Sequence, residues 1–178
     1  LWCRAFRAPT LSGPYGGFRL GNVETTAHAL LRAERLSGAE AGADFFAGPL
    51  FARANFFFAD LTDPIANVTL SSSPSLIIRQ RQNLGRTRST GLELQVEDHR
   101  GRQLVVHAGY QFAHSVVHAF AADPALIGKR IPEVPSQQFT FSIRYAPASW
   151  SFAAQVRASG GQYDDDQNQF YLPAYETL

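Results

Sequence analysis

The chain has 178 residues, and its 16 Lys and Arg against 15 Asp and Glu leave a net charge of +1, which excludes a strong nucleic-acid footprint. Charged residues make up 17%, below the roughly 25% of an average soluble domain, while 14 Phe, 6 Tyr and 2 Trp demand apolar surroundings. No run approaches the roughly 18 uncharged apolar residues of a membrane helix, so any membrane role must use strands; the single Cys3 excludes an internal disulfide and a Cys-x-x-Cys metal or redox site.

Apolar residues recur with period 2, the spacing of strands. In 36–47, Ala39, Ala41, Ala43 and Phe45 oppose Glu40 and Asp44; in 50–60, Leu50, Ala52, Ala54, Phe56 and Phe58 oppose Arg53 and Asn55. Over 83–98, Leu92, Leu94 and Val96 oppose Glu93, Gln95 and Glu97. The segment 103–118 places Leu104, Val106, Ala108, Tyr110 and Phe112 against Gln103, His107, Gly109, Gln111 and Ser115. Segment 136–146 sets Phe139, Phe141, Ile143 and Tyr145 against Gln138, Thr140, Ser142 and Arg144, and 150–160 sets Trp150, Phe152, Ala154 and Val156 against Ser151, Gln155 and Arg157. Each is a two-faced strand.

The connections alternate. Gly48-Pro49, residues 99–102 and Pro147-Ala148-Ser149 are tight hairpin turns, whereas residues 7–35, 61–78, 119–135 and 161–173 form long links. In an up-and-down meander all short turns then lie on one rim and all long loops on the other. Outer-membrane barrels have that asymmetry, with strands of about 9–11 residues. Rings near strand ends at Trp150, Phe152, Tyr145, Tyr110 and Phe112 are expected to form aromatic girdles. Arg53, Glu93, Glu97, Arg144, Gln155 and Arg157 would face a wet lumen. The alternative consistent with periodicity is a soluble sandwich or lipocalin-like barrel, with the polar face in bulk water and the rings against a second sheet.

Several segments resemble the barrels of TonB-dependent outer-membrane receptors. These are 6–11 (Phe-Arg-Ala-Pro-Thr-Leu), 28–36 with Leu31, Arg32 and Glu34, and 57–65 (Phe-Phe-Ala-Asp-Leu-Thr-Asp-Pro-Ile). They continue with 83–94, which carries Asn83, Gly85, Gly91, Leu92, Glu93 and Leu94, and with 128–135 (Gly-Lys-Arg-Ile-Pro-Glu-Val-Pro) before Phe139. The usual Asn and two prolines of the loop-closing segment are replaced around His28, Ala29 and Ala33. The resemblance implies an all-β, antiparallel up-and-down transmembrane barrel segment of about eight strands, with short periplasmic turns and long extracellular loops. Residues 1–178 would be part of a barrel of 22 strands whose plug, TonB-contacting segment and closing strands lie outside this chain. Opening on Leu1 and lacking Met, the chain reads as an internal piece of a longer protein that would not insert stably alone.

No enzyme constellation is present. His114 and His118 lie about 13 Å apart along a strand, too far to share a metal. Gly13, Gly16 and Gly17 lack the Gly-Lys-Ser of a phosphate loop. His28 falls where haem receptors of the family carry a loop His; the bland reading is an ordinary loop residue. Asp164, Asp165 and Asp166 offer oxygens to a hard cation, or simply form a solvated turn. Arg79, Arg81, Arg86 and Arg88 form a basic stripe on one strand face, suited to an anionic iron chelate or lipopolysaccharide, or to neutralising wall acids such as Glu93 and Glu97. With Arg7, Arg19, Arg144 and Arg157 these are the candidate substrate-binding residues of loops and lumen wall. The resemblance implies TonB-energised uptake of a scarce nutrient (siderophore-iron, cobalamin or haem type) across the outer membrane, without enzyme activity or resident cofactor. Its implied partners are outer-membrane lipid, the plug of the same chain, TonB and the nutrient or metal chelate, with no nucleic acid. A passive porin-like or adhesin barrel and a soluble all-β binding module are the alternatives.

Overall fold

The computed structural model describes residues 1–10 and 15–178; Leu11 and Gly13, cited above, lie outside the described residues. Fourteen strands follow in chain order: β1 Trp2–Arg7, β2 Phe18–Leu20, β3 Val23–Thr26, β4 Glu34–Ala47, β5 Leu50–Thr62, β6 Ile65–Ser72 and β7 Ile77–Asn83. They continue with β8 Arg86–Arg100, β9 Leu104–Ala119, β10 Gln137–Tyr145, β11 Phe152–Ser159, β12 Gln162–Tyr163, β13 Tyr171–Leu172 and β14 Tyr175–Thr177. Eight form one sheet in the order β1-β4-β5-β8-β9-β10-β11-β14, antiparallel throughout.

Short and long connections alternate around this sheet as the spacing predicts. Gly48 (φ 58°) opens the two-residue β4–β5 turn, in the left-handed region that such a hairpin requires at its first position, and Gly101 (φ 63°) does the same work between β8 and β9.

The register turns the alternation of each strand into rows across the sheet. Ala43, Ala54, Leu94, Tyr110, Phe139 and Ala158 form one row; Phe45, Ala52, Val96, Ala108, Phe141 and Val156 form another on the same face. Between them runs Asp44, Arg53, Gln95, Gly109, Thr140 and Arg157 on the opposite face. Among the described residues nothing is stacked upon the apolar face: Phe45, Phe56, Phe112, Phe139 and Phe152 are all exposed, Phe45 by 60%. A water-soluble sandwich would cover these rings, so this is a face built for lipid.

The aromatic girdles differ from expectation. Trp150 and Tyr145 meet edge-on at 5.5 Å beside Phe152 at the short-turn rim. Tyr110 and Phe112 instead occupy the middle of the apolar band, because the turn after β8 sets them six and eight residues beyond Leu104. The far rim is marked by Trp2 and Phe58, which share one row with Ala39.

The long link 61–78 is also corrected. β6 and β7 extend the β5–β8 hairpin beyond the band and join β2 and β3 in a second, four-stranded sheet, order β2-β3-β7-β6, in which β3 and β7 are parallel. Pro64 and the Leu84-Gly85 pair mark the joint, where the Leu84 amide donates to the Pro64 carbonyl at 2.7 Å. The buried core among the described residues sits here rather than in the sheet: Val68, Leu84, Val117, Phe120 and Leu126 cluster together, with Ala66 and Ile131 against them. Leu126 comes from a single 3-10 turn, Pro124–Leu126, begun by Asp123, whose carboxylate accepts from the Ala125 amide.

Candidate functional site

The long-connection rim carries the charged chemistry, and ion pairs arrange it. At the base of the first long loop, Glu34 is buried and accepts from Nε and Nη2 of Arg7, Nη2 at 2.8 Å, together with the Ile65 amide at 2.7 Å. Glu34 begins β4 five residues beyond the aromatic Trp2–Ala39–Phe58 row, outside the membrane band. Burial pushes its carboxyl up, but the hydrogen bonds from Arg7 and Ile65 and the charge of Arg7 outweigh it and hold it below the usual carboxylate range. Arg32 complements this clasp: its amide donates to Asn83 Oδ1 at 2.8 Å, and its Nη2 reaches Asp63 Oδ1 at 2.6 Å. Asn83 Nδ2 returns to the carbonyls of Arg32 and Asp63. Thus Arg32, Glu34 and Asn83, which carry part of the motif pattern, tie three chain segments at the point where barrel becomes loop.

The four-arginine stripe is divided by the Leu84-Gly85 break. Arg79 and Arg81 lie on β7 in the second sheet, while Arg86 and Arg88 lie on β8 in the large one. Neither Glu93 nor Glu97 neutralises them. Arg86 and Arg88 instead converge on buried Asp60, Arg88 Nη2 at 3.1 Å from Oδ2. Arg81 donates to the Gly16 carbonyl at 3.5 Å and lies over Phe18. Arg79 is mostly buried, approaches Asp164 at 3.7 Å, and keeps its Nε buried without a partner.

The aspartate run does not form an oxygen cage. Asp165 accepts from the amides of Gln167, Gln169 and Phe170, and Asp166 accepts from the amide and hydroxyl of Thr69. Asp165 thus folds the last long loop on itself and Asp166 pins it to β6, leaving Asp164 as the more open member. Among the described residues no group of three His, Cys, Asp or Glu is placed to hold a metal ion.

Between these elements opens a cavity of about 300 Å³, bordered by Asn67, Arg79, Leu84, Val117, Arg130, Glu133 and Asp164. Of the predicted residues it gathers Arg79 with Asp164, Asp165 and Asp166. Arg157 lies in a neighbouring hollow with Gln138, Glu133 and Asp164. Arg144 stands apart, on the lumen face near the short-turn rim, and Arg19 is exposed on β2, donating to the Gly21 carbonyl at 3.2 Å. His28 is half-buried with Nδ1 unpartnered. Sequence reasoning missed Asp60, Asp63 and Asn83 as site organisers; their position beside Pro64 and Gly85, where a strand must break, was the available signal.

The comparisons agree with this architecture. The family model for the TonB-dependent receptor-like β-barrel matches residues 2–178. The copper transporter OprC superposes with a TM-score of 0.74 at 17% identity, over 98% of this chain and 27% of that one. A mutant ferric enterobactin receptor from Pseudomonas aeruginosa, in complex with enterobactin, gives 0.67 at 17% identity over 98% and 29%. The ferric yersiniabactin uptake receptor FyuA from Yersinia pestis gives 0.61 at 21% over 82% and 22%. The chain therefore spans under a third of the length of these structures. No curated protein matches it. The family comprises receptors and transporters of the Gram-negative outer membrane rather than enzymes. Strand order, a lipid-ready outer face and a match across nearly the whole chain place this protein in the TonB-dependent receptor β-barrel family.

Proposed function

We propose that residues 1–178 form part of the barrel wall and outer loops of an outer-membrane importer energised through TonB, with the plug and the TonB-contacting segment supplied by other parts of the full-length protein. The cargo in this reading is a scarce nutrient of the siderophore-iron, cobalamin or haem type. Within that range the loop chemistry favours an anionic metal chelate. The observation that supports this is Arg79: its Nε is buried, unpartnered and set at a cavity on the rim from which an importer of this family would receive cargo. A guanidinium in that state gains from a carboxylate or phenolate oxygen that arrives desolvated. Two of the structures with this fold are named for ferric siderophore chelates and one for copper, so iron and copper are the metals to compare.

The test uses the full-length receptor in a Gram-negative host lacking its own iron-chelate receptors. Uptake of radiolabelled iron presented as catecholate or phenolate chelates is measured with and without TonB, beside copper, haem and cobalamin. TonB-dependent accumulation of one anionic chelate, reduced at least ten-fold by Arg79→Gln, is the expected result. Solute flux indifferent to TonB would make the protein a passive pore, and TonB-dependent uptake unaffected by Arg79→Gln would remove this cavity from the cargo path.

A further inference from the structure

The rows nearest the long-connection rim break the apolar rule of the outer face. Past Trp2, Ala39 and Phe58, the register aligns Arg4, Ser37, Asp60, Arg88 and Val116, then Phe6, Arg35, Thr62 and Arg86. Parity puts all of these on the lipid-facing side of the sheet rather than in the lumen. Two ring contacts agree: Arg88 lies over Phe58 at 5.3 Å and Arg4 over Trp2 at 5.9 Å, and both rings belong to the outer face. These two rows hold four guanidinium groups and one carboxylate. Asp60 is buried beneath Arg86 and Arg88, whose side chains remain 48% and 35% exposed, and Arg4 and Arg35 are exposed without a carboxylate partner in either row.

We infer that this strip binds the phosphate groups of outer-leaflet lipids. The height fits: rows two residues apart on strands tilted about 45° rise about 5 Å each. Five successive outer-face rows, from Leu50 to Phe58, thus cover about 20 Å of hydrocarbon before the arginines begin. The arginines therefore lie at headgroup level of the leaflet on the long-loop side. The chemistry fits as well. Planar guanidinium donors match phosphate oxygens, and rings at the same level let an acyl chain and its headgroup be held together. Strands about 4.8 Å apart place Arg4 and Arg88 roughly 14 Å from each other, wide enough for two phosphates on one lipid. Asp60 holds Arg86 and Arg88 outstretched, leaving the strip with an excess of three positive charges. This inference rests on the strands spanning a membrane and is independent of which nutrient is carried.

The experiment uses the full-length receptor, purified in detergent and offered bisphosphorylated lipid A in micelles. Parallel samples receive the same lipid with its phosphates removed, or inorganic phosphate as competitor. Retained lipid is read by native mass spectrometry. Each basic side chain at an anionic lipid surface is worth about five-fold, so the double variant Arg4→Gln/Arg35→Gln should retain the phosphorylated lipid about 25-fold less well. Arg102→Gln, a charge change of the same kind at the short-turn rim, should not alter retention. Both substitutions leave the Asp60 cluster intact, and heat-modifiable migration verifies that the barrels are folded. Equal retention of the dephosphorylated lipid, equal loss with Arg102→Gln, or full displacement by inorganic phosphate would each overturn the assignment. Because cargo uptake is not read, this outcome and that of the Arg79 experiment stand apart.

Discussion

The barrel wall and the loop cluster at its rim are held together by different physics. In the wall, apolar side chains are large and exposed: Phe45 and Phe56 have no partner sheet, and the backbone ladder supplies the order. At the rim, small numbers of side chains are dry or charge-paired: Leu126 is 2% exposed, and Asp60, Glu34 and Asp166 are buried acids whose oxygens are occupied. The wall takes its hydrophobic environment from the solvent it sits in, so it needs only the right period. The rim meets water and must build its own interior, so it needs specific tertiary contacts.

The sharpest way to break this contrast is to place a charge on each face of one strand. Leu94 stands in the middle of the lipid-facing rows, and Leu94→Arg should cost about 3–4 kcal/mol for the full-length barrel in vesicles, the cost of an arginine near the bilayer midplane. Its neighbour Gln95 faces the opposite way, beside Arg53 and Gly109, and Gln95→Lys should change stability by less than about 0.5 kcal/mol. Denaturant titration with refolding into vesicles measures both. Equal costs for the two substitutions would remove the assignment of faces.

The same distinction explains what could be read from the sequence. Strands β4, β5 and β8 to β11 announce themselves because a lipid-facing strand repeats every second residue, and a glycine at a turn limits their register. The motif glycine Gly91 has a local reason too: a Cβ there would lie 2.2 Å from the Phe112 carbonyl oxygen and 2.4 Å from the Phe57 ring. The second sheet was illegible for the opposite reason. β6 reads Ile-Ala-Asn-Val-Thr-Leu-Ser-Ser, where the alternation is confined to Ala66, Val68 and Leu70, and β7 reads Ile-Ile-Arg-Gln-Arg-Gln-Asn, with no apolar face; each is fixed by distant partners such as Asp166 on Thr69 and Thr26 on the Arg79 carbonyl. The division of the arginine stripe follows from this, since a two-residue spacing is meaningful only within one unbroken strand. The aspartate run misled for a related reason: a row of carboxylates looks available until the amides that occupy it are known.

The rim should also respond to lost volume where the wall does not. Leu126→Ala removes a buried side chain from a five-residue cluster, and a cost of about 2 kcal/mol is expected, at the low end for such truncations because the adjoining cavity can admit water. Val96→Ala on the lipid face deletes a comparable side chain that lipid can replace, so it should cost less than about 1 kcal/mol in vesicles. Hydrogen exchange locates the difference: Leu126→Ala should accelerate exchange in β6, the 120–131 segment and the end of β9 that packs on it, and leave β10 and β11 unchanged. Uniform acceleration through the barrel would show that the two regions form one cooperative unit.

The smallest effect concerns the clasp between them. Because Glu34 is held below the usual carboxylate range when folded, it contributes stability that is complete above the ordinary carboxylate pKa and is lost as pH falls through the depressed folded value. The Arg7 side chain is 70% exposed, so solvent screens the pair and the contribution is set at about 1 kcal/mol rather than at the value of a fully buried bridge. Glu34→Gln keeps the shape and an oxygen for the Ile65 amide but loses the charge. At neutral pH the variant should unfold at correspondingly lower denaturant, with the difference beginning to shrink below the ordinary carboxylate pKa of about 4.3, where the unfolded chain takes up the proton, and vanishing as pH falls through the depressed folded value. Arg7→Gln should reproduce the neutral-pH loss and should not add to Glu34→Gln in the double variant. A difference that persisted unchanged at acid pH would show that Glu34 acts through packing and the Ile65 hydrogen bond alone, and the joint between wall and rim would then be steric rather than electrostatic.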